Sequence, residues 1–184
     1  RALSFSNIDS HDKAIADYKV IINKFGKTEF AEEALLGIRE SLNATNRSEE
    51  FFEIAEQFKT NSPGGSSVQN LQFDSAKDLF YAEKYDKAIL SLQSYLKAYP
   101  TSTSASEANF LLAESYYLLG NKKDALKYYN EIVLANQVEY LTKSAMRAGS
   151  INYENQDFEE AIQNYLQVTG STSNQREIIL AQEG

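Results

Sequence analysis

One four-residue pattern returns along the whole chain at an almost fixed interval. Asp12-Lys13-Ala14-Ile15, Glu49-Glu50-Phe51-Phe52, Asp86-Lys87-Ala88-Ile89, Lys123-Asp124-Ala125-Leu126 and Glu159-Glu160-Ala161-Ile162 put their third residues at 14, 51, 88, 125 and 161, so the intervals are 37, 37, 37 and 36 residues. Periods between about 20 and 50 residues belong to stacked arrays, in which each unit contacts only its neighbours.

The rest of each unit keeps the same register. Four residues after the anchor stand Tyr18, Ala55, Leu92, Tyr129 and Tyr165; seven after it stand Ile21, Phe58, Tyr95, Ile132 and Val168. Anchor, plus four and plus seven lie on one face of an α-helix. Twelve before the anchor come Ala2, Arg39, Ala76, Ala113 and Gly149, mostly small; nine before it come Phe5, Leu42, Leu79, Tyr116 and Asn152, mostly large. Two antiparallel helices joined by a short turn interlock where the crossing side chains are small and larger neighbours fill the gaps. Turn formers (Asn46, Gly120-Asn121, Asn155-Gln156-Asp157) separate the two helices, and an acidic residue in the second helix's first turn suits the helix dipole. Gly26, Pro63 and Pro100 close second helices.

This register predicts first helices over about 1–8, 28–44, 66–82, 102–119 and 138–155. It predicts second helices over about 11–24, 47–59, 85–98, 122–135 and 158–169, and a last short one over 175–182. The whole of 1–184 reads as one array, with repeats at about 1–28, 29–65, 66–102, 103–138 and 139–175 and a partial terminal helix to 184. The Thr60–Ser67 stretch reads as an inter-repeat turn. The second unit departs from the rule, because Arg39 and Phe51 stand where both crossing residues should be small. That repeat is expected to be irregular, with Gly37 supplying the small contact instead.

Composition excludes several functions. The net charge is −8, and the largest basic cluster, Lys122-Lys123 with Lys127, has Asp124 and Glu131 beside it. Such a surface repels phosphate backbones, so nucleic acid is not expected as a partner. No cysteine is present, which removes disulfides and thiolate metal sites, and His11 is the single histidine. No apolar run reaches the length of a membrane span, so direct membrane insertion is not expected. Carboxylate groups such as Glu49-Glu50 or Asp157 with Glu159-Glu160 recur at helix starts and read as caps rather than acid/base or metal pairs. Pro63-Gly64-Gly65-Ser66 lacks the lysine of a phosphate loop. No catalytic, metal or cofactor site is expected.

Ala76, Leu79, Ala88, Leu92 and Pro100 hold the places at which the tetratricopeptide repeat carries small, large, small, aromatic and proline residues. Nearly the whole chain resembles that family, with a unit three residues longer than usual. The resemblance implies an all-α solenoid, a right-handed superhelix of antiparallel helix pairs whose first repeat is truncated here. The stretch from Tyr99-Pro100-Thr101-Ser102 to Leu119-Gly120 resembles a subgroup common in bacterial envelope proteins, which implies a periplasmic or envelope-associated setting, the alternative being cytoplasmic.

The resemblance also implies that first helices line a concave face which binds a peptide or partner protein. By position this gives Asn70, Lys77 and Tyr81 in the third unit, Glu107, Glu114 and Tyr117 in the fourth, and Lys143, Ser150 and Tyr153 in the fifth. Phe73, Phe110 and Met146 share that face but are expected to pack between repeats, and Tyr95, Tyr116, Tyr129 and Tyr165 to lie in the core. The competing reading is a structural spacer with no ligand of its own. The chain opens with Ala2, Leu3, Phe5 and Ile8 inside a helix and closes on Ile178, Ile179 and Leu180, so further repeats or another chain are expected to meet its ends.

Overall fold

The computed structural model describes residues 1–26, 28–61 and 66–171. Among them the chain is all α: α1 (Ala2–Ser6), α2 (His11–Phe25), α3 (Glu29–Ala44), a 3-10 turn (Ser48–Glu50), α4 (Phe51–Asn61), α5 (Ser66–Tyr81), α6 (Tyr85–Ala98), α7 (Ala105–Leu118), α8 (Lys122–Leu134), α9 (Val138–Glu154) and α10 (Phe158–Ser171). These bounds follow the helices expected from the register. The helix expected over 175–182, the Ile178–Leu180 segment and Pro63 lie outside the described residues. No described helix is long and apolar enough to cross a membrane.

The helices fall into two compact units, Arg1–Tyr99 and Pro100–Gly184. Within the first, the crossing residues Ala14, Ala76 and Ala88 are fully buried; within the second, Ala113 and Ala125 are. A methyl group at each crossing lets the paired backbones close, and the large neighbours Leu42, Leu79, Leu92, Tyr95, Tyr129 and Ile132 fill the space around them.

Each turn between a first and a second helix is built the same way. One or two residues past the first helix's C-cap stands a residue with a left-handed backbone: Asp9 (φ 56°), Asn46 (59°), Glu83 (59°), Gly120 (79°) and Gln156 (67°). Its N–H bonds back to a carbonyl three residues earlier and the next N–H to one five earlier, as in Glu83 to Phe80 (2.9 Å) and Lys84 to Leu79 (2.9 Å). This double closure satisfies the last carbonyls of the helix and reverses the chain in three residues. Glycine, which adopts this conformation without a Cβ penalty, occupies one of the five positions. The second helices open with acidic first turns, Asp12, Asp86, Asp124 and Glu159-Glu160. At Asn121 the side chain also accepts from the Asp124 N–H at 3.3 Å.

The second repeat is the irregular one. Its second helix starts at the anchor Phe51 rather than three residues before it, and Ser48–Glu50 wind as a 3-10 turn. Phe51 is fully buried, and a phenyl ring in place of a methyl leaves no room for the regular first turn. Arg39 sends its guanidinium to α5, where it meets Asp78 Oδ2 at 2.6 Å; Asn43 Nδ2 donates to the same oxygen at 2.6 Å. Gly37, expected from sequence to supply the small contact of this repeat, has its nearest neighbour on α2. A Cβ built there would lie 2.4 Å from Cζ of Tyr18 on α2, so Gly37 makes room for a ring of the preceding repeat. Gly149 makes room in the same way for a ring of its own repeat, Tyr165, whose Cε1 would be 2.6 Å away.

Candidate interaction face

In the first unit the residues expected on the binding face sit along α5. Asn70 is exposed, Lys77 is half-buried with its ammonium 5.2 Å from the Phe73 ring, and Tyr81 is exposed, meeting Phe80 edge-on at 5.4 Å. Phe73 packs inward against Tyr95, ring centroids 5.2 Å apart. Behind it runs a polar cluster that positional reasoning did not single out. Tyr99 Oη donates to Gln72 Oε1 at 2.7 Å, and Gln72 Nε2 donates to Glu56 Oε1 at 3.0 Å. Lys59 Nζ lies 4.4 Å from the Tyr99 ring and donates to its hydroxyl at 3.2 Å. Burial raises the Tyr99 phenol above its ordinary range, while the Lys59 ammonium works the other way.

In the second unit α7 and α9 carry the remaining candidates. Glu114 is the centre of a cluster spanning three helices. Tyr129 of α8 donates its hydroxyl to Glu114 Oε1. Arg147 of α9 donates from Nε to Oε1 at 3.1 Å and from Nη2 to Oε2 at 3.4 Å. The same guanidinium lies 4.3 Å from the centroid of Tyr117, a cation–π contact. Arg147 leaves 41% of its side chain exposed, against 13% for Glu114, so solvent meets a cation stacked on an aromatic ring with the carboxylate tucked beneath. Burial raises the Tyr129 phenol far above its ordinary value, and the Glu114 carboxylate adds to this by accepting its proton and repelling the phenolate.

Around this cluster Phe110 stacks on Tyr140 at 4.9 Å, with Lys143 Nζ 5.9 Å from the Phe110 ring. Met146 packs against the cluster of Ala145, Ala161, Tyr165 and Val168. Glu107 and Ser150 are half-buried, and Tyr153 is exposed, edge-on to Phe158 at 5.5 Å. The structure therefore brings Glu114 and Tyr117 together around Arg147. A signal for Arg147 was available: it stands 33 residues after Glu114, one repeat less one helical turn, with the opposite charge. Among the core tyrosines, Tyr95, Tyr129 and Tyr165 are buried. Tyr116 is only half-buried and lies flat on Tyr128, rings 5.6 Å apart and 8° from parallel. His11 opens α2, with Nε2 3.6 Å from the Asp9 carboxylate.

Comparison with known proteins agrees with this architecture. The family model for the tetratricopeptide repeat matches residues 73–138. No curated protein sequence matches the chain. Among solved structures, "YrrB: a TPR protein with an unusual peptide-binding site" superposes with a TM-score of 0.55 at 15% identity, covering 100% of this chain and 89% of that one. MamA superposes with a TM-score of 0.53 at 15% identity, covering 92% of this chain and 93% of its own. A Podosopora anserina protein of nearly identical TPR-like repeats gives 0.51 at 14% identity, with 92% and 90% covered. Residues 73–138 thus match the tetratricopeptide-repeat model, and the chain as a whole has the fold of proteins built from such repeats.

Proposed function

We propose that the chain is a protein-interaction module that acts by binding rather than catalysis, holding an extended peptide or a partner's helix along the face of its first helices. The observation that carries this reading is the Glu114–Arg147–Tyr117 cluster, which holds a partly exposed guanidinium over an aromatic ring. Arginine and tyrosine in such preorganised settings are the residue types that anchor protein interfaces. Tyr153 and Lys143 extend the surface in the second unit, and Asn70, Lys77 and Tyr81 form its counterpart in the first; Glu107 and Ser150 complete the set. YrrB, described as a peptide-binding TPR protein, lends the reading support by analogy of fold.

A photo-crosslinking residue in place of Tyr117 or Tyr153, in the full-length protein in its native cells, tests this. A discrete protein adduct that disappears in the Arg147→Ala background is expected. The competing spacer reading draws on the same contacts: Glu114 with Arg147 ties α7 to α9 and Arg39 with Asp78 ties α3 to α5, which is also what a stiff connector needs. It expects no adduct at either position. The setting we propose is the bacterial envelope, on the strength of the subgroup resemblance around Tyr99–Gly120. Recovery of the native protein solely in the cytosolic fraction would refute that.

A further inference from the structure

The second repeat's own first helix carries the same face register. Offsets of −18, −15 and −11 from the anchor give Glu107, Phe110 and Glu114 in the fourth repeat (125 − 18, 125 − 15, 125 − 11), and Glu33, Leu36 and Glu40 in the second (51 − 18, 51 − 15, 51 − 11). In the first repeat, −11 gives Leu3. These positions meet at an open groove of about 270 Å³ in the first unit, where Leu3, Tyr18, Phe30 and Leu36 supply apolar walls and Glu33 and Glu40 the charge. Leu3 and Phe30 are two-thirds exposed, at 65% and 68%. A volume just under the ~300 Å³ at which small-molecule pockets begin suits one or two side chains of a peptide.

The electrostatics of this groove differ from those around Glu114. There, the carboxylate is held by Arg147 and Tyr129. Glu33 and Glu40 are exposed and make no hydrogen bond or ion pair among the described residues. The register position that holds Arg147 in the fifth repeat (161 − 14) holds Asp74 in the third (88 − 14). The third repeat therefore offers an acid where the fifth offers the neutralising cation. Seven residues of helix separate Glu33 from Glu40 by about 10 Å, which an extended peptide covers in about three residues.

We infer that this groove binds an extended peptide segment carrying an apolar residue between two basic ones about three positions apart. The apolar side chain enters between Leu3 and Leu36, and the two cations meet Glu33 and Glu40. The inference rests on the first-helix face being the binding face, and it names the chemistry that face accepts.

The probe is the acetylated, amidated peptide Gly-Lys-Ser-Leu-Lys-Gly, titrated into the 184-residue chain and followed by amide chemical shifts. Shifts centred on Leu3, Tyr18 and Leu36 are expected, with binding weakened about tenfold in E33Q/E40Q at low salt, since an exposed charge pair contributes up to about fivefold. Both replaced residues are exposed, so far-UV circular dichroism of the variant should match that of the parent. Peptides with glutamate for lysine, or serine for leucine, should not bind. Equal binding of the glutamate peptide, or unchanged affinity in E33Q/E40Q, overturns the proposal. So does a self-associated chain, dispersed by Leu36→Ser, that excludes the peptide: the occupant is then a second copy. If the groove stays silent while adducts persist at Tyr117 and Tyr153, this inference falls and the binding-face reading stands; if the adducts are absent too, both fall.

Discussion

Glu83→Gly and Gly120→Ala make the same backbone change in opposite directions, at equivalent turns of adjacent repeats. Glu83 holds φ at 59° with a side chain, and Gly120 holds 79° without one. The left-handed conformation costs an L-residue about 1–2 kcal/mol, whereas glycine costs about 0.4–1 kcal/mol more unfolded-state entropy than alanine. The difference leaves Glu83→Gly stabilising by about 0.5–1 kcal/mol and Gly120→Ala destabilising by a similar amount. Packing does not complicate the second case, because a Cβ at Gly120 meets nothing within 4 Å. Glu83 is exposed, so its removal opens no cavity. Urea denaturation followed by far-UV circular dichroism reads both, as midpoint shifts of opposite sign with unchanged slope. In thermal melts each is worth about 1–8 °C, the upper end applying if the two units melt separately. A lower midpoint for Glu83→Gly, or none lost by Gly120→Ala, would show that the turns are set by something other than backbone strain.

Three further outcomes follow from the packing and the charges. Gly149→Ala puts a methyl 2.6–2.8 Å from the Tyr165 ring and should cost about 1–3 kcal/mol by overpacking, read from the denaturation midpoint. Tyr129 keeps its proton in the folded state well beyond its ordinary range. The stability it contributes is complete below pH ~10 and falls above it by about 1.4 kcal/mol per pH unit. Absorbance at 295 nm should therefore show its ionisation only as the protein unfolds, and Tyr129→Phe should flatten the alkaline loss of stability. A double-mutant cycle on Arg39 and Asp78 should give a coupling of about 1 kcal/mol, as for a partly buried pair with good geometry; coupling near zero would mean that the guanidinium is only parked there.

The helices were legible because their cause is local and periodic. The spacing of Ala76, Ala88, Ala113 and Ala125 states where backbones must close, and those residues are fully buried. The strain at Phe51 was legible too, as an exception to that spacing, though its outcome as a 3-10 turn was not. What escaped were contacts formed between repeats. Arg147 has no distinction within its own unit, and its meaning arises only when α9 is laid against α7. Glu83 does not look like a turn former, because the double backbone closure imposes its conformation. At the large core position nine before the anchor, Leu42 and Leu79 are buried, yet Tyr116 is only half-buried and lies on Tyr128 instead. Asn152 stands at the same position in the fifth repeat and is buried despite its polarity.

The missing side chain at Gly37 reaches beyond the core. Tyr18 fits where a methyl would stand, and the same ring forms a wall of the acidic cleft. Any larger residue at this one place would have to displace that ring, and with it a wall of the cleft. How tightly α2 nests on α3 and how deep a visiting side chain can sink are therefore one variable, and evolution or engineering cannot adjust either without moving the other.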